Sequence, residues 1–125
     1  MTSSHSESAP IGPYAPVVRA GDLLFCSGQL GLRDGVLVGG GVQSELIQAF
    51  SNLESVLASM GATLADVVKT TVFLVDIGNF ELMNETYLSC IGDQRPARSV
   101  LSVDRLPRAA SVEIEAIAFS PRESR

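Results

Sequence analysis

The sequence predicts an α+β domain in which two helices cover one face of a mixed sheet, in the chain order β-β-α-β-α-β-β. Three observations carry this prediction. Val67 to Val75 and Val112 to Phe119 are apolar, partly β-branched runs of strand length. Leu46, Phe50, Leu53, Leu57 and Met60 recur every three or four residues, which draws one stripe down a helix. A second stripe, Phe80, Met83 and Tyr87, lies between two strand-like runs. Two helices cover only one sheet face, whereas the long strands are apolar on both, so the other face calls for a partner, and self-association is the simplest supply.

Each element has its own local reason. After a Ser-rich tail over residues 1–10, Ile11-Gly12-Pro13-Tyr14 reads as a turn, because Pro fixes one dihedral and Gly permits unusual ones. That loop presents Tyr14. Val17 to Ala20, a Gly21-Asp22 connection and Leu23 to Ser27 read as a β-hairpin. Arg33-Asp34-Gly35 and the triplet Gly39-Gly40-Gly41 read as loop, without the spacing of a phosphate-binding glycine motif. The first helix spans Gln43 to Met60, with Gly61 as its C-terminal stop. Thr63-Leu64-Ala65-Asp66 has the form of a capping box, and a strand from Val67 to Val75 follows with Lys69 and Thr71 on one face. Asn79 is placed to cap a second helix that runs to about Cys90. Pro96 blocks helix and introduces a strand from Arg98; Leu106-Pro107-Arg108 then turns the chain into the last strand, and the domain ends near residue 120, leaving 121–125 as a tail.

Composition narrows the function. A chain of 125 residues suits one domain, and 46% hydrophobic residues exclude a disordered chain. Mean hydropathy of +0.26 is high enough that part of the apolar surface is expected at a subunit interface. The net charge is -5, and Lys69 is the only lysine beside eight scattered arginines, so no basic tract exists to neutralise phosphates. Nucleic acid is excluded as the expected partner. Cys26 and Cys90 sit in apolar contexts and read as reduced packing residues; the one histidine, His5, lies in the tail, and no metal is expected. No apolar run approaches the roughly 18 residues of a membrane helix and the start lacks a leader pattern, so a cytoplasmic protein without membrane contact is the expectation.

The chemistry concentrates in the last third. Arg98 opens a strand, and a guanidinium there matches a small carboxylate bidentately. Strand alternation puts Glu113 and Glu115 on one face and Ile114, Ala116 and Ala118 on the other. Two carboxylates close together need a cation, with Arg98 the candidate. At this level an organic-acid site and a structural Arg-Glu pair both fit.

Several motifs in compatible order then resemble one family. Ile11-Gly12-Pro13-Tyr14, Phe25-Cys26-Ser27-Gly28-Gln29, Val68-Lys69-Thr70-Thr71-Val72-Phe73, Asn84 with Tyr87, Pro96-Ala97-Arg98-Ser99 and Ile114-Glu115-Ala116-Ile117-Ala118 are similar to the RidA/YjgF family of imine deaminases, over essentially residues 9–119. The resemblance implies a chorismate-mutase-like fold, a homotrimer and sites in the clefts between subunits. It implies hydrolysis of 2-imino acids such as 2-iminobutanoate and 2-iminopropanoate, released by pyridoxal-phosphate enzymes, to 2-keto acids and ammonia, with no cofactor. By position it implies that Arg98 grips the substrate carboxylate, that Glu113 holds the attacking water, and that Tyr14 lies near the substrate. Ser27, Gly28 and Asn84 then line the pocket. Val100 stands where many relatives carry cysteine, which implies an altered pocket shape, since the reaction needs no thiol. Glu115 projects the same way as Glu113 and is the alternative water holder. Two other readings of the same frame are a non-catalytic trimeric binder of small carboxylates and a specialised catabolic deaminase or amidohydrolase, with Val100 and the Arg33 to Gly41 loop as places for specificity.

Overall fold

The computed structural model describes residues 12–122, so the tail, Ile11 of the first motif and residues 123–125 lie outside the described residues. Nine elements follow the predicted order with one addition. They are β1 (Val17–Ala20), β2 (Leu23–Leu30), β3 (Leu32–Arg33), β4 (Val36–Leu37), α1 (Gly41–Ala58), β5 (Val67–Leu74), α2 (Phe80–Ile91), β6 (Ala97–Ser102) and β7 (Val112–Phe119). The main sheet has the order β1-β2-β7-β5-β6, and only β5 and β6 run parallel. A parallel pair needs a crossover, and α2 supplies it.

Alternation decides what each strand buries. Val112, Ile114, Ala116 and Ala118 of β7 and Thr70, Val72 and Leu74 of β5 face the helices and are buried. In α1 the periodic residues Val42, Leu46, Ala49, Phe50, Leu53, Val56 and Leu57 turn to the sheet. Leu46 and Phe50 pack with Met83 and Tyr87 of α2 over Val72 and Ile114, the Phe50 and Tyr87 rings meeting edge-on at 5.5 Å between centroids. Leu53 and Leu57 pack with Leu24, Val67, Ala116 and Ala118. Among the described residues no helix lies over the other sheet face. Val18, Phe25, Leu101 and Phe119 are exposed there, as the apolar strands predict.

Close approach fixes how α1 lies against the end of β2. A Cβ on Gly31 would stand 2.6 Å from both the Cα and the carbonyl oxygen of Glu45, so only glycine lets the strand rest against that helix. Next to it, buried Asn52 donates to the carbonyls of Leu30 and Leu32, at 3.0 and 2.9 Å, where the chain leaves the sheet. Gln48 and Arg33 extend this network outward.

Four local expectations are corrected. The segment read as loop after residue 31 holds a small hairpin, β3-β4, too short to show alternation. Strand β2 continues past Ser27 to Leu30 through a register shift between Cys26 and Gln29. Helix α1 is capped at Ser59, two residues before Gly61, whose φ of +77 turns the chain after the helix has ended. Asn79 makes no side-chain cap; Asp76 does this one turn earlier, accepting from the Gly78 amide at 2.9 Å. The capping box at Thr63 and Asp66 forms as read. Among the described residues no helix is long and apolar enough to cross a membrane.

Candidate functional site

The residues singled out from the sequence gather in two places, on opposite faces of the sheet. Arg98 pairs in register with Thr70, which faces the helices and shares a hydrogen bond with the Tyr87 hydroxyl at 2.7 Å. The Arg98 guanidinium lies over the Tyr87 ring, 4.7 Å from its centroid. Glu113 pairs with Phe73 and Glu115 with Thr71, the neighbours whose side chains point to the uncovered face. Arg98 therefore cannot brace either glutamate of its own chain. The Arg-Glu pair that spacing allowed is absent: among the described residues the one ion pair joins the exposed Arg105 and Asp104.

The Arg98 side is a cavity of about 350 Å³ lined by Asn84, Tyr87, Leu88, Arg95, Pro96 and Arg98. It holds two guanidiniums, one stacked on an aromatic ring, and no carboxylate. Asn84 lines it while its Oδ1 is buried without a hydrogen-bond partner, an arrangement that typically costs about 1–3 kcal/mol. Val100 faces the same way as Arg98 but packs half-buried against the core and is not part of the cavity wall.

The glutamate side is a cavity of about 540 Å³ whose wall includes Tyr14, Ser27, Gly28, Pro107, Glu113 and Glu115. The β2 bulge builds it. Ser27 and Gly28 fall at the register shift, and the Ser27 hydroxyl and amide donate to the carbonyls of Ala15 and Pro16, at 2.6 and 2.9 Å, which ties down the loop carrying the exposed Tyr14. Gly28 sits under the Glu113 carboxylate. A Cβ there would collide with Oε2 and lie 2.8 Å from the carboxyl carbon, so glycine is what lets the acid lie flat on the strand. Burial pushes the Glu113 carboxyl above its ordinary pKa, and the charge of Glu115 pushes it further the same way. A third cavity, of about 380 Å³, adjoins along the uncovered face, with Phe25, Lys69, Thr71 and Ile117 in its wall and with Tyr14, Ser27 and Glu115 shared.

Both cysteines stand apart from this chemistry. Burial pushes the Cys26 thiol up to about 11 and also raises Cys90, which leaves neither as an activated nucleophile. Sequence reasoning missed two contributors to the arginine cavity. Tyr87 was read as a core aromatic and as the motif partner of Asn84 but not as a site residue, since its stacking on Arg98 depends on the pairing of β5 with β6. Arg95 was readable from its position just before the Pro96-Ala97-Arg98 run.

Comparison with known proteins places this architecture. The family model described as Endoribonuclease L-PSP matches residues 4–120. A mouse protein named 2-iminobutanoate/2-iminopropanoate deaminase is 43% identical over 120 residues, 94% of this chain and 89% of that protein. The chain belongs to the RidA/YjgF family. A RutC family protein of Pyrococcus horikoshii is 40% identical over 112 residues, 88% of this chain and 89% of its own length. The crystal structure of RidA from an Antarctic Psychrobacter superposes with a TM-score of 0.86 at 33% identity, covering 91% of this chain and 94% of that one. The names of the RidA/YjgF relatives thus span deaminase, RutC protein and endoribonuclease, and family membership alone does not select among them.

Proposed function

We propose that this RidA/YjgF protein hydrolyses 2-imino acids, of the 2-iminobutanoate and 2-iminopropanoate type, to 2-keto acids and ammonium. The observation that carries the reading is the Arg98 guanidinium, stacked on Tyr87 in a cavity free of carboxylates, which leaves its outer edge for a substrate carboxylate. Deaminase-named relatives at about 40% identity support it. So does the acidic charge balance, which disfavours RNA as substrate.

The residues divide the work as follows. Arg98 holds the carboxylate of the iminium and so orients its C=N carbon. Glu113 accepts a hydrogen bond from water and takes its proton as the oxygen adds to that carbon. The same carboxyl then returns the proton to the nitrogen of the tetrahedral adduct; as the C–N bond breaks and the C=O forms, the carboxylate takes the remaining hydroxyl proton, which passes to the departing ammonia to give ammonium. A carboxyl whose pKa is raised toward working pH suits both transfers, which favours Glu113 over the exposed Glu115 as the working acid. Tyr14, on its tied loop, closes over the bound acid, and the flat Ser27-Gly28 segment admits it.

Since Arg98 and Glu113 lie on opposite faces of one sheet, a complete site takes the arginine half from one copy and the glutamate half from another. A homotrimer with its sites in the clefts, the uncovered sheet faces turned inward, meets that requirement and covers Val18, Phe25 and Phe119. The test is keto-acid formation from 2-iminobutanoate generated in situ, compared without protein, with wild type and with Arg98→Ala. Acceleration by wild type alone is expected. Equal rates for the two proteins would refute the assigned clamp, and keto-acid binding without turnover would replace the enzyme by a carboxylate-binding regulator.

A further inference from the structure

Resting on the imine-deaminase reading, we infer that Arg95 selects substrates with a second carboxylate, so that the preferred class is the 2-imino diacids of four or five carbons. Arg95 and Arg98 line the same cavity, and no acidic residue belongs to its wall. Among the described residues neither arginine has an ion-pair partner. A single carboxylate on Arg98 leaves a second permanent cation facing the bound molecule. A 2-imino monoacid with an alkyl side chain offers that cation nothing, whereas a diacid offers it an anion.

The local backbone holds Arg95 ready for this. Helix α2 ends at Ile91, and Gly92, with φ of +73, turns the chain back toward the sheet. The Arg95 Nη1 group donates to the carbonyls of Gly92 and Gln94, both at 2.7 Å. These bonds spend one amino group of the guanidinium on the loop and leave Nε and Nη2 without partners among the described residues. Restraint of this kind reduces the side-chain entropy lost when an anion binds. Pro96 follows directly and stiffens the link to Arg98. Three peptide units, at most about 10 Å between α-carbons, separate the two arginines, within the reach of two long side chains and a short diacid.

Arg95 is solvent-exposed, so the second contact is a screened one, and a preference of about fivefold is the expected size. The experiment uses the stable keto products as probes: calorimetric Kd values for 2-oxoglutarate and 2-oxobutanoate, with wild type, Arg95→Gln and Arg95→Lys, at low and high salt. In wild type 2-oxoglutarate binds about fivefold more tightly, and the margin shrinks as salt rises. In Arg95→Gln the two values come within about twofold of each other, and Arg95→Lys keeps part of the margin as a point charge without the fork. Equal Kd values in wild type, or a margin that Arg95→Gln preserves, overturn the inference. If 2-oxobutanoate binds and 2-iminobutanoate is hydrolysed but the diacid gains nothing, the inference alone falls. If neither acid binds and no imine is hydrolysed, the deaminase reading falls with it.

Discussion

Two inactive variants are expected to restore activity to each other. Arg98→Ala destroys the arginine half of the site and spares the glutamate half, while Glu113→Gln does the reverse. Each variant alone should lose about 100-fold or more, the usual scale for removing a substrate clamp or a general acid-base group. The two residues lie on opposite faces of one sheet, since Arg98 registers with Thr70 and Glu113 with Phe73, so under the proposed division of labour no single copy completes a site. When equal amounts are dissociated together and allowed to reassociate at random, a working site needs its arginine half from a Glu113→Gln copy and its glutamate half from an Arg98→Ala copy. Each condition is met half the time, so about one quarter of the wild-type sites return, whatever the number of copies in a closed ring. The assay is keto-acid formation from 2-iminobutanoate, with the unmixed variants treated identically and native mass spectrometry recording exchange of copies. Exchanged assemblies that stay at the level of the unmixed variants would refute the shared site.

Four further outcomes follow from individual residues. Gly28→Ala should fold, since Gly28 has no positive φ, but it should lower kcat/KM by about 100-fold because its methyl displaces the Glu113 carboxylate; an unchanged rate would separate that carboxylate from the chemistry. Ala109, which follows Arg108 in the left-handed region with φ of +59, should accept glycine with a gain of about 1 kcal/mol, raising Tm by about 4 °C, and a flat melting curve would contradict the assigned strain. Glu113 has a raised carboxyl pKa, so the folded chain keeps a proton that the unfolded chain has already released, and stability falls as pH rises from the ordinary carboxyl value through the raised one. Glu113→Gln should therefore stabilise the fold above that window and not below it, while Glu115→Gln should move the acidic limb of kcat/KM to lower pH; unfolding curves and rate profiles across pH check both.

The helices and long strands were legible because each repeats a period over many residues: Leu46, Phe50, Leu53 and Leu57 in α1, and Val112, Ile114, Ala116 and Ala118 in β7. The β3-β4 hairpin was not, since strands of two residues contain no period. The bulge at Ser27-Gly28 was hidden for a related reason, as it shows only when β2 is laid against β7. Motif order named the site residues, and strand alternation correctly put Glu113 beside Glu115. What sequence spacing could not supply was the face to which Arg98 turns, because that depends on β6 joining the sheet edge parallel to β5 after the α2 crossover. The expected neighbourhood of Arg98 and Glu113 within one chain became a separation for that reason. Asn79 failed as a cap because it closes a short helical turn, Ile77–Asn79, that runs straight into α2, so its backbone, with φ of -88 and ψ of 10, lacks the extended geometry of an N-cap, and Asp76 caps that turn instead.

The network beside Gly31 has a direction. Both nitrogens that Arg33 offers end on Gln48 Oε1, at 3.1 and 2.8 Å, which leaves the Gln48 amide nitrogen to donate to Asn52 Oδ1 at 2.9 Å. Asn52 in turn spends its own amide nitrogen on two carbonyls, so every hydrogen points from the surface inward. Turning over either amide would set oxygen against oxygen or donor against donor, and the orientation of all three side chains is thereby settled by bonding alone. The permanent charge of Arg33 polarises each successive link in the same sense. Its influence thus reaches the carbonyls of Leu30, a residue of the glutamate cavity wall, and of Leu32 through neutral side chains, without a second ion anywhere along the line.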